Sequence, residues 1–412
     1  MTDTALSHAP GDISPNAALF ALALGGFAIG TTEFASMALL PDFAAHYGVS
    51  EARAADAISA YALGVVVGAP VLAVAGARLR KRAMLIWLML AFAVFNTLSA
   101  LAPGYASFTL TRFLSGLPHG AYFGVSALVA ASVVPPHKRA TAVAWVMMGL
   151  TIATTLGVPA ASLMSQITGW RSAYLLVGLL SLATAFAVWR KAPPSPADSA
   201  ASPLRELSAL RNRQVWLTLA TGAVGFGGFF AVYTYIASTV QTTLGGSETA
   251  VAVMLGVAGL GMTVFNLLAG ALADRHLNAS AFFCLGLGTL LLLLYPTLAA
   301  SGLWPMALGL FAICVLGGIS TVLQIRLMSV AGEAQQLAAS LHHAAFNVAN
   351  AVGPFLAAQV LLAGYGFPAS GYVGARRAAK TAQEKRARPS APPLSLSSLW
   401  SLSPPGNSGS RG

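Results

Sequence analysis

Charged residues are scarce in this chain. Only 8% of its 412 residues are Asp, Glu, Lys or Arg, whereas 56% are hydrophobic. Soluble domains carry about 25% charged residues, so the composition excludes an ordinary soluble domain. Long apolar runs must then lie in lipid, where backbone groups have to form hydrogen bonds within their own segment. Because the runs are continuous rather than alternating, they exclude a β-barrel and predict an all-α membrane protein.

Cysteine and the common motifs of catalysis are also nearly absent. The two cysteines, Cys284 and Cys314, both lie inside apolar runs, which favours small buried hydrophobes over a disulfide or a metal pair. The chain has no phosphate-binding loop, so ATP-driven pumping is not indicated. No Cys or His has the spacing of metal ligands. The sequence therefore predicts a protein that is not an enzyme and that uses no cofactor and no metal.

The net charge of +11 is carried mainly by loops between the apolar runs. The basic residues cluster at 78–82, 138–139, 190–213 and 275, after every second run. Such clusters set the orientation of a membrane protein, so the charge is not taken as a sign of nucleic-acid binding. By the positive-inside bias, these loops and the N-terminus are expected to be cytoplasmic.

Eleven apolar runs are each long enough to cross about 30 Å of hydrocarbon as a helix. The predicted spans are residues 17–40, 57–77, 83–102, 107–134, 140–167, 172–189, 215–240, 249–273, 279–300, 305–328 and 337–363. The predicted organisation is a polar tail (1–16), a six-helix bundle (17–189), a cytoplasmic linker (190–214), a five-span bundle (215–367) and an aberrant basic, Pro- and Ser-rich disordered tail (368–412).

The two halves of the chain resemble each other. The second run ends in G-V-V-V-G-A-P-V-L-A-V-A-G-A-R, and the eighth ends in G-L-G-M-T-V-F-N-L-L-A-G-A-L-A-D-R. H-K-R-A-T-A before the fifth run has a weaker echo in Q-Q-L-A-A-S before the eleventh. Repeated halves are typical of transporters whose site lies near the bilayer midplane between two bundles.

Three motifs carry a resemblance to a known family. They are R-F-L-S-G-L-P-H-G from Arg112, G-L-T-I-A-T-T-L-G-V-P from Gly149, and G-A-L-A-D-R from Gly270. Residues 17–367 resemble the major facilitator superfamily, in particular its drug:proton antiporter branch and the arabinose efflux permease-like members. The resemblance implies the two-bundle fold of that family, with two pseudo-symmetric bundles. It also implies a twelfth span, which this chain would have lost.

The resemblance further implies roles for these motif residues. The arginine of the first motif is implicated in proton coupling, the second motif is associated with antiporters, and the third acts as a latch between the bundles in relatives. The corresponding first-half segment, G-A-R-L-R-K-R, lacks the aspartate. Glycines four residues apart also let helices approach closely. The residues assigned to conformational change are Gly116, Gly120, Gly149, Gly157, Pro159, Gly270, Asp274 and Arg275.

Three ionisable residues inside the apolar runs are predicted to take part in proton coupling. Glu33 is the only acid well inside a run, and desolvation favours its neutral form, which suits a proton carrier. Arg112 stays charged and is expected to bias a nearby acid or to bind an anionic group. His119 follows Arg112 by two helical turns, and an unperturbed histidine titrates near neutral pH.

Each of these residues has a structural alternative that the sequence leaves open. Glu33 can be a neutral, hydrogen-bonded residue at a helix contact. Arg112 can brace the fourth helix through backbone carbonyls, and His119 can form a hydrogen bond across helices.

Other polar and aromatic residues in the runs are candidates for lining a central cavity. His342 and His343 are adjacent, so at most one of them faces the cavity squarely. Asn347 and Asn350 follow at helical spacing, and holding helices together is the alternative role for them. The predicted cavity residues are Tyr61, Asn96, Tyr233, Asn266, His342, Asn347 and Asn350.

The tail does not continue the pattern of the spans. A twelfth span starts with P-A-S-G-Y-V-G-A, but the chain then becomes basic and carries seven of its 23 Lys and Arg residues from Arg376 onward. Such a segment cannot cross a membrane and is compositionally disordered. Our hypothesis is a shift of reading frame near Gly374. An apolar run of about 20 residues in another frame of the gene would support it, and its absence from both frames would refute it.

Together these features predict a proton-coupled efflux permease that works by alternating access. It is expected to be a monomer in the inner membrane, with the bilayer, protons and a small solute such as a drug, a sugar or a metabolite as its partners. Two alternatives stay open. The first is uptake by symport or facilitated diffusion, and the second is a non-transporting, truncated paralogue such as a sensor.

Overall fold

The computed structural model of this protein describes residues 14–194 and 202–373, and regular structure in these residues is helical throughout. The membrane-crossing helices are α1 (Pro15–Ala38), α2 (Asp56–Ala75), α3 (Lys81–Leu101), α4 (Tyr105–Ser132), α5 (Pro136–Thr168), α6 (Arg171–Lys191), α7 (Arg213–Thr243), α8 and α9 (together Glu248–Ala300), α10 (Leu303–Val330) and α11 (Gln335–Leu362). Shorter helices cover Leu40–Tyr47, Glu51–Ala54 and Pro203–Leu207.

The eighth and ninth spans form one continuous helical stretch of 53 residues. At 1.5 Å per residue it would measure about 80 Å, far more than the roughly 30 Å of hydrocarbon. One residue inside it, His276, has non-helical dihedral angles (φ −144°, ψ 77°). We therefore divide the stretch into α8 (248–275) and α9 (277–300). The sequence predicts a short loop here, whereas the structure has a break of one residue.

The helices form two bundles, each with its own core. Phe92 and Tyr122 belong to the core of α1–α6, and Phe229 and Leu316 to that of α7–α11. Lipid tails are as apolar as these side chains, so van der Waals packing, rather than exclusion of water, holds the helices together. Once the 53-residue stretch is divided, the described residues form eleven crossings in two bundles, which confirms the predicted fold.

The bundles meet most extensively along three helix pairs, α2–α11, α4–α11 and α5–α8, and α5 also contacts α10. We call the two ends of the molecule the linker end and the opposite end. The linker end carries the segment between α6 and α7, together with the start of α5 and the start of α11. The opposite end carries the helices Leu40–Tyr47 and Glu51–Ala54.

Small residues bring the helices together where the sequence predicts close approach. A Cβ atom added at any of these glycines would lie 2.0–2.6 Å from an atom of the neighbouring helix. The glycines are Gly116 and Gly120 against α2, Gly149 and Gly157 against α1, and Gly270 against α5. Any side chain at these positions would push the helices apart.

Helix α5 contains the irregular turn that its Gly- and Pro-containing motif predicts. Residues Ala153–Gly157 form a π-helical turn, in which the N–H of Val158 donates to the carbonyl of Ala153. Pro159 follows directly; it has no N–H to donate, and its ring crowds the carbonyl four residues earlier. The wider turn accommodates the proline inside a continuous membrane helix.

The described chain ends just after the start of a further helix. Residues 370–373 are helical, and Gly371 packs against α9, where an added Cβ would lie 2.7 Å from the carbonyl oxygen of Leu292. Most of the tail predicted for 368–412, from residue 374 onward, lies outside the described residues, as do residues 1–13 of the N-terminal tail and 195–201 of the linker.

Candidate functional site

Arg112 lies on α4 at the centre of a polar cluster in the first bundle. Its side chain is 1% exposed. Nη1 donates to Thr32 Oγ1 (3.2 Å) and to Asn96 Oδ1 (3.3 Å). The guanidinium also lies over the rings of Tyr61 (4.5 Å) and Tyr174 (5.2 Å). The cation is therefore held by neutral oxygens and by aromatic faces, both of which attract positive charge.

Glu33 precedes Phe34 on α1 and is also buried. Arg112 acts on its carboxyl group electrostatically, but the described chain has no ion pair within 4.0 Å between the two side chains. Neither oxygen of Glu33 accepts a hydrogen bond from the described protein, and Nε and Nη2 of Arg112 likewise donate none. Both groups thus keep unused hydrogen-bonding capacity, with which the carboxyl can bind a proton and the guanidinium can bind a polar or anionic group.

A chain of polar rings leads from this cluster to the second bundle. Tyr61 Oη lies 2.9 Å from Nδ1 of His119. The ring of His119 lies 5.3 Å, between centroids, from that of His343 on α11. His343 stacks on Phe123 at 4.3 Å and 11°, and neither of its ring nitrogens has a hydrogen-bond partner in the described chain.

Two further polar residues of α11, His342 and Asn347, form their hydrogen bonds within the second bundle. His342 Nε2 lies 2.9 Å from Ser320 Oγ on α10. Asn347 Nδ2 donates to the carbonyl of His343 (3.0 Å), on its own helix. The structure places neither His342 nor Asn347 on the cavity described next.

A cavity of about 770 Å³ lies between the bundles, toward the opposite end. Its described lining is apolar, aromatic, hydroxyl or amide in character and includes no charged residue. The lining side chains come from α1, α5, α7, α8 and α11 and include Phe34, Thr154, Thr155, Pro159, Gln166, Phe230, Tyr233, Thr234 and Asn350.

The other five of the seven predicted cavity residues lie in three places. Tyr233 and Asn350 line the cavity. Tyr61 and Asn96 instead contact Arg112, as described above. Asn266 lies in the α5–α8 interface, where its Nδ2 donates to the carbonyl of Ala144 (2.8 Å).

The α5–α8 interface closes the linker end on one side. Asp274, at the end of α8, accepts hydrogen bonds from the backbone N–H groups of Ala140 (2.7 Å) and Thr141 (2.9 Å), and from the Thr141 hydroxyl. These N–H groups belong to the first turn of the helix that starts at Arg139, where no partner exists within the helix. The carboxylate also opposes the positive end of the helix dipole. Arg275 beside it is exposed.

The α2–α11 interface closes the same end on the other side, through a residue that the sequence did not indicate. Glu206, from the linker helix Pro203–Leu207, accepts the N–H of Leu337 in the first turn of α11 (2.8 Å). Burial raises the pKa of the Glu206 carboxyl, while the Leu337 N–H and Lys81 lower it. Gln336 accepts a hydrogen bond from Lys81 and donates to the carbonyl of Ala73 on α2 (2.7 Å).

This arrangement of two helix bundles, contacting at one end and enclosing a cavity toward the other, agrees with the sequence comparisons. The profile of the Major Facilitator Superfamily matches residues 22–354. This chain belongs to the major facilitator superfamily. The family assignment confirms the predicted transporter of a small solute in a multi-pass membrane protein, and with it the prediction that the chain is not an enzyme.

Individual members of the superfamily resemble the chain over most of its length. The inner membrane transport protein YdhP of Escherichia coli (strain K12) is 40% identical over 357 residues, which are 85% of this chain and 90% of that protein. A chloramphenicol resistance protein of Streptomyces lividans is 34% identical, with coverages of 83% and 88%. The solved proton:xylose symporter XylE superposes with a TM-score of 0.70 at 16% identity, with coverages of 90% and 95%.

Proposed function

We propose that this protein exports an uncharged small solute in exchange for protons. The observation that carries the proposal is the position of Glu33, a buried carboxyl with unused hydrogen-bonding capacity. The next residue, Phe34, lines the cavity. One turn of α1 thus joins a group that can hold a proton to a surface that can contact a solute.

Arg112 and Glu33 supply the proposed coupling. The nearby guanidinium favours the ionised carboxylate, whereas burial favours the neutral acid, so small changes around the pair can shift the proton on or off. Each inward proton contributes about 2.3 kcal/mol per 100 mV of membrane potential, in addition to the pH gradient. This energy can drive a solute outward if proton and solute are carried in alternation. We assign His119 to the same pathway because its ring lies within hydrogen-bonding distance of Tyr61 on one side and contacts the ring of His343 on the other.

The proposed orientation places the linker end in the cytoplasm, because the basic loops lie there. The cavity then belongs to the outer half of the protein, and the conformation is one closed toward the cytoplasm. The name of the E. coli relative suggests that the membrane is the bacterial inner membrane. We expect the protein to act as a monomer, since each chain contains both bundles and the cavity between them.

The lining of the cavity indicates the class of solute. A charged solute in this cavity would face no opposite charge from the lining, and an unpaired charge away from water is costly. Aromatic, hydroxyl and amide groups instead match an uncharged molecule with a few polar groups. The name of the S. lividans relative makes chloramphenicol a reasonable first probe.

Purified protein in proteoliposomes tests the proposal. An imposed pH gradient should drive radiolabelled chloramphenicol against the direction of proton flow, and a quaternary ammonium drug should move far more slowly. Glu33→Gln should abolish the proton-driven component, and Asp56→Asn, at an exposed acid on the first turn of α2, serves as the matched control.

The other outcomes identify the alternatives. Movement of solute in the same direction as the protons would establish uptake by symport. Equal movement with and without the protein would support a non-transporting paralogue. Undiminished proton-driven export by Glu33→Gln would remove that residue from the mechanism.

A further inference from the structure

The two bundles meet at a pair of buried histidines, His119 and His343, and the proposed coupling gives a role to His119 alone. His119 lies on α4 and His343 on α11, and both side chains are buried. Their rings are 5.3 Å apart between centroids, and Phe123 stacks on His343 from the α4 side. Nearby on the same helix pair, a Cβ at Gly124 would lie 2.2 Å from Ser340 Oγ. The histidines therefore lie in a close contact between the bundles.

The contact suits neutral rings and disfavours charged ones. Neither nitrogen of His343 has an acceptor in the described chain, so a proton gained there would create a buried cation without a partner. A proton on each ring would add repulsion between two like charges at short range. Separation of α4 from α11 would relieve both costs by letting water reach the rings.

The surroundings of the pair contain no carboxylate in direct contact. From α4, His343 faces His119, and from its own helix it faces His342. From α2, His119 faces Tyr61, behind which lie Arg112 and then Glu33 of α1. Described contacts from α10 and α7 to α11 come from Ser320 and Gln324 and from phenylalanines, which carry no charge. The charged side chains of Glu206 and Lys81 contact α11 in its first turn, at Leu337 and Gln336, about two turns before His343.

We propose that His343 is a proton-responsive residue of the transport cycle, acting with His119 as the contact through which protonation separates the bundles at the linker end. The inference rests on the proposed proton coupling. Protonation of the pair favours the conformation open at the linker end, and loss of the proton favours the closed conformation seen here. If the linker end lies in the cytoplasm, protons that bind from the outside favour the conformation that is open to the cytoplasm.

Distance measurement between spin labels at the linker end tests this role. Labels are placed at Arg78→Cys and Ser329→Cys, both exposed, in a full-length protein whose Cys284 and Cys314 are changed to Ala. In the wild-type background the ratio of open to closed molecules should rise as the pH falls from about 8 to about 5, the range in which histidine responds to its surroundings. Each linked proton contributes up to about tenfold per pH unit.

Substitutions at His343 should move this equilibrium in opposite directions. His343→Phe keeps an aromatic ring on Phe123 but cannot bind a proton, so the linker end should stay closed at every pH. His343→Arg carries a permanent charge, so the linker end should stay open. His137→Phe, at an exposed histidine of the linker end, should behave like the wild type.

The same variants separate failure of this inference from failure of the proposed function. If His343→Phe opens with falling pH as the wild type does, or if the wild type shows no response to pH, the inference is overturned. Proton-driven export by the wild type, measured in proteoliposomes, would still stand in that case. Absence of proton-driven export by the wild type would instead overturn the proposed function.

Discussion

The two interfaces that close the linker end differ in where the acceptor for the N–H groups at a helix start comes from. Each brings the start of a helix against the other bundle, where the first N–H groups need acceptors. At α5–α8 the acceptor is Asp274, on the neighbouring helix of the interface. At α2–α11 the acceptor is Glu206, from the linker. The comparison teaches that the linker is part of the closed interface and does more than connect the bundles.

The difference follows from the two related sequence segments. G-A-L-A-D-R ends α8, whereas G-A-R-L-R-K-R follows α2, so Arg80 stands where Asp274 stands in the second half. A cation at that place cannot accept the N–H groups at the start of α11 and is repelled by the helix dipole. Glu206 supplies the missing acceptor from another part of the chain.

The largest effect is expected from loss of the acid at the α5–α8 interface. Asp274→Ala removes the acceptor of two backbone N–H groups and of the Thr141 hydroxyl. Hydrogen bonds to a charged group contribute about 1.5–3 kcal/mol each, so the closed conformation should lose roughly 3 kcal/mol or more. That loss corresponds to about a hundredfold change in the open-to-closed ratio, measurable with spin labels at the linker end. Asp274→Asn, which keeps one acceptor, should have a smaller effect, and no change in Asp274→Ala would contradict this account of the interface.

A smaller effect in the same direction is expected from the linker. Glu206→Ala removes the acceptor of one N–H group, which we expect to cost about 1 kcal/mol of the closed conformation. The readout is the same distance distribution, supported by faster hydrogen exchange of the Leu337 amide. Glu333→Ala is the matched control, because this acid forms an exposed ion pair with Arg205 and such pairs contribute little. If Glu206→Ala had as large an effect as Asp274→Ala, the α2–α11 interface would not contribute less than the α5–α8 interface to the stability of the closed conformation, which would contradict this prediction.

The comparison can be sharpened by restoring the acid at its equivalent place. Arg80→Asp in the Glu206→Ala background should recover part of the closed population, by a few tenths of a kcal/mol to about 1 kcal/mol, because a carboxylate near a helix start is stabilising. Leu79→Asp, at an exposed position of the same loop, tests whether any negative charge there would suffice. Recovery by both variants would point to net charge rather than to position.

The smallest effect is the dependence of linker docking on pH. Burial raises the pKa of Glu206 when its helix is docked, so the docked state binds more protons than the released state. Docking should be strongest below the ordinary pKa of a glutamate, about 4.3, and should weaken as the pH rises through the raised pKa. Protection of the Leu337 amide is compared between Glu206 and Glu206→Gln in the His343→Phe background, in which the linker end should stay closed at every pH. Protection that increases with pH, or an equal slope in Glu206→Gln, would refute the assignment.

The sequence predicted those features that depend on composition and spacing alone. The eleven apolar runs predicted the number of membrane-crossing helices. Glycines such as Gly116 and Gly270 predicted the positions at which helices pack closely. Burial of Glu33 and Arg112 also followed, because an ionisable residue in a long apolar run is costly to expose to lipid.

The features that escaped prediction depend on which way each side chain faces in the assembled bundles. Asn96 and Asn350 look alike in sequence, yet the first binds Arg112 and the second lines the cavity. The sequence predicts a cavity position for Asn266 as well, but this residue lies in the α5–α8 interface. Glu206 gave only a weak signal, as an acid in a basic linker, because its partner lies 131 residues further along the chain.

The single-residue break at His276 has a mechanical consequence. Because no flexible loop separates α8 from α9, a displacement of Asp274 away from α5 cannot be absorbed locally and must carry the start of α9 with it. The described start of a further helix packs on α9 as well. We therefore expect release of the Asp274 carboxylate to displace α9 and the helix packed on it, rather than to be absorbed within α8 alone.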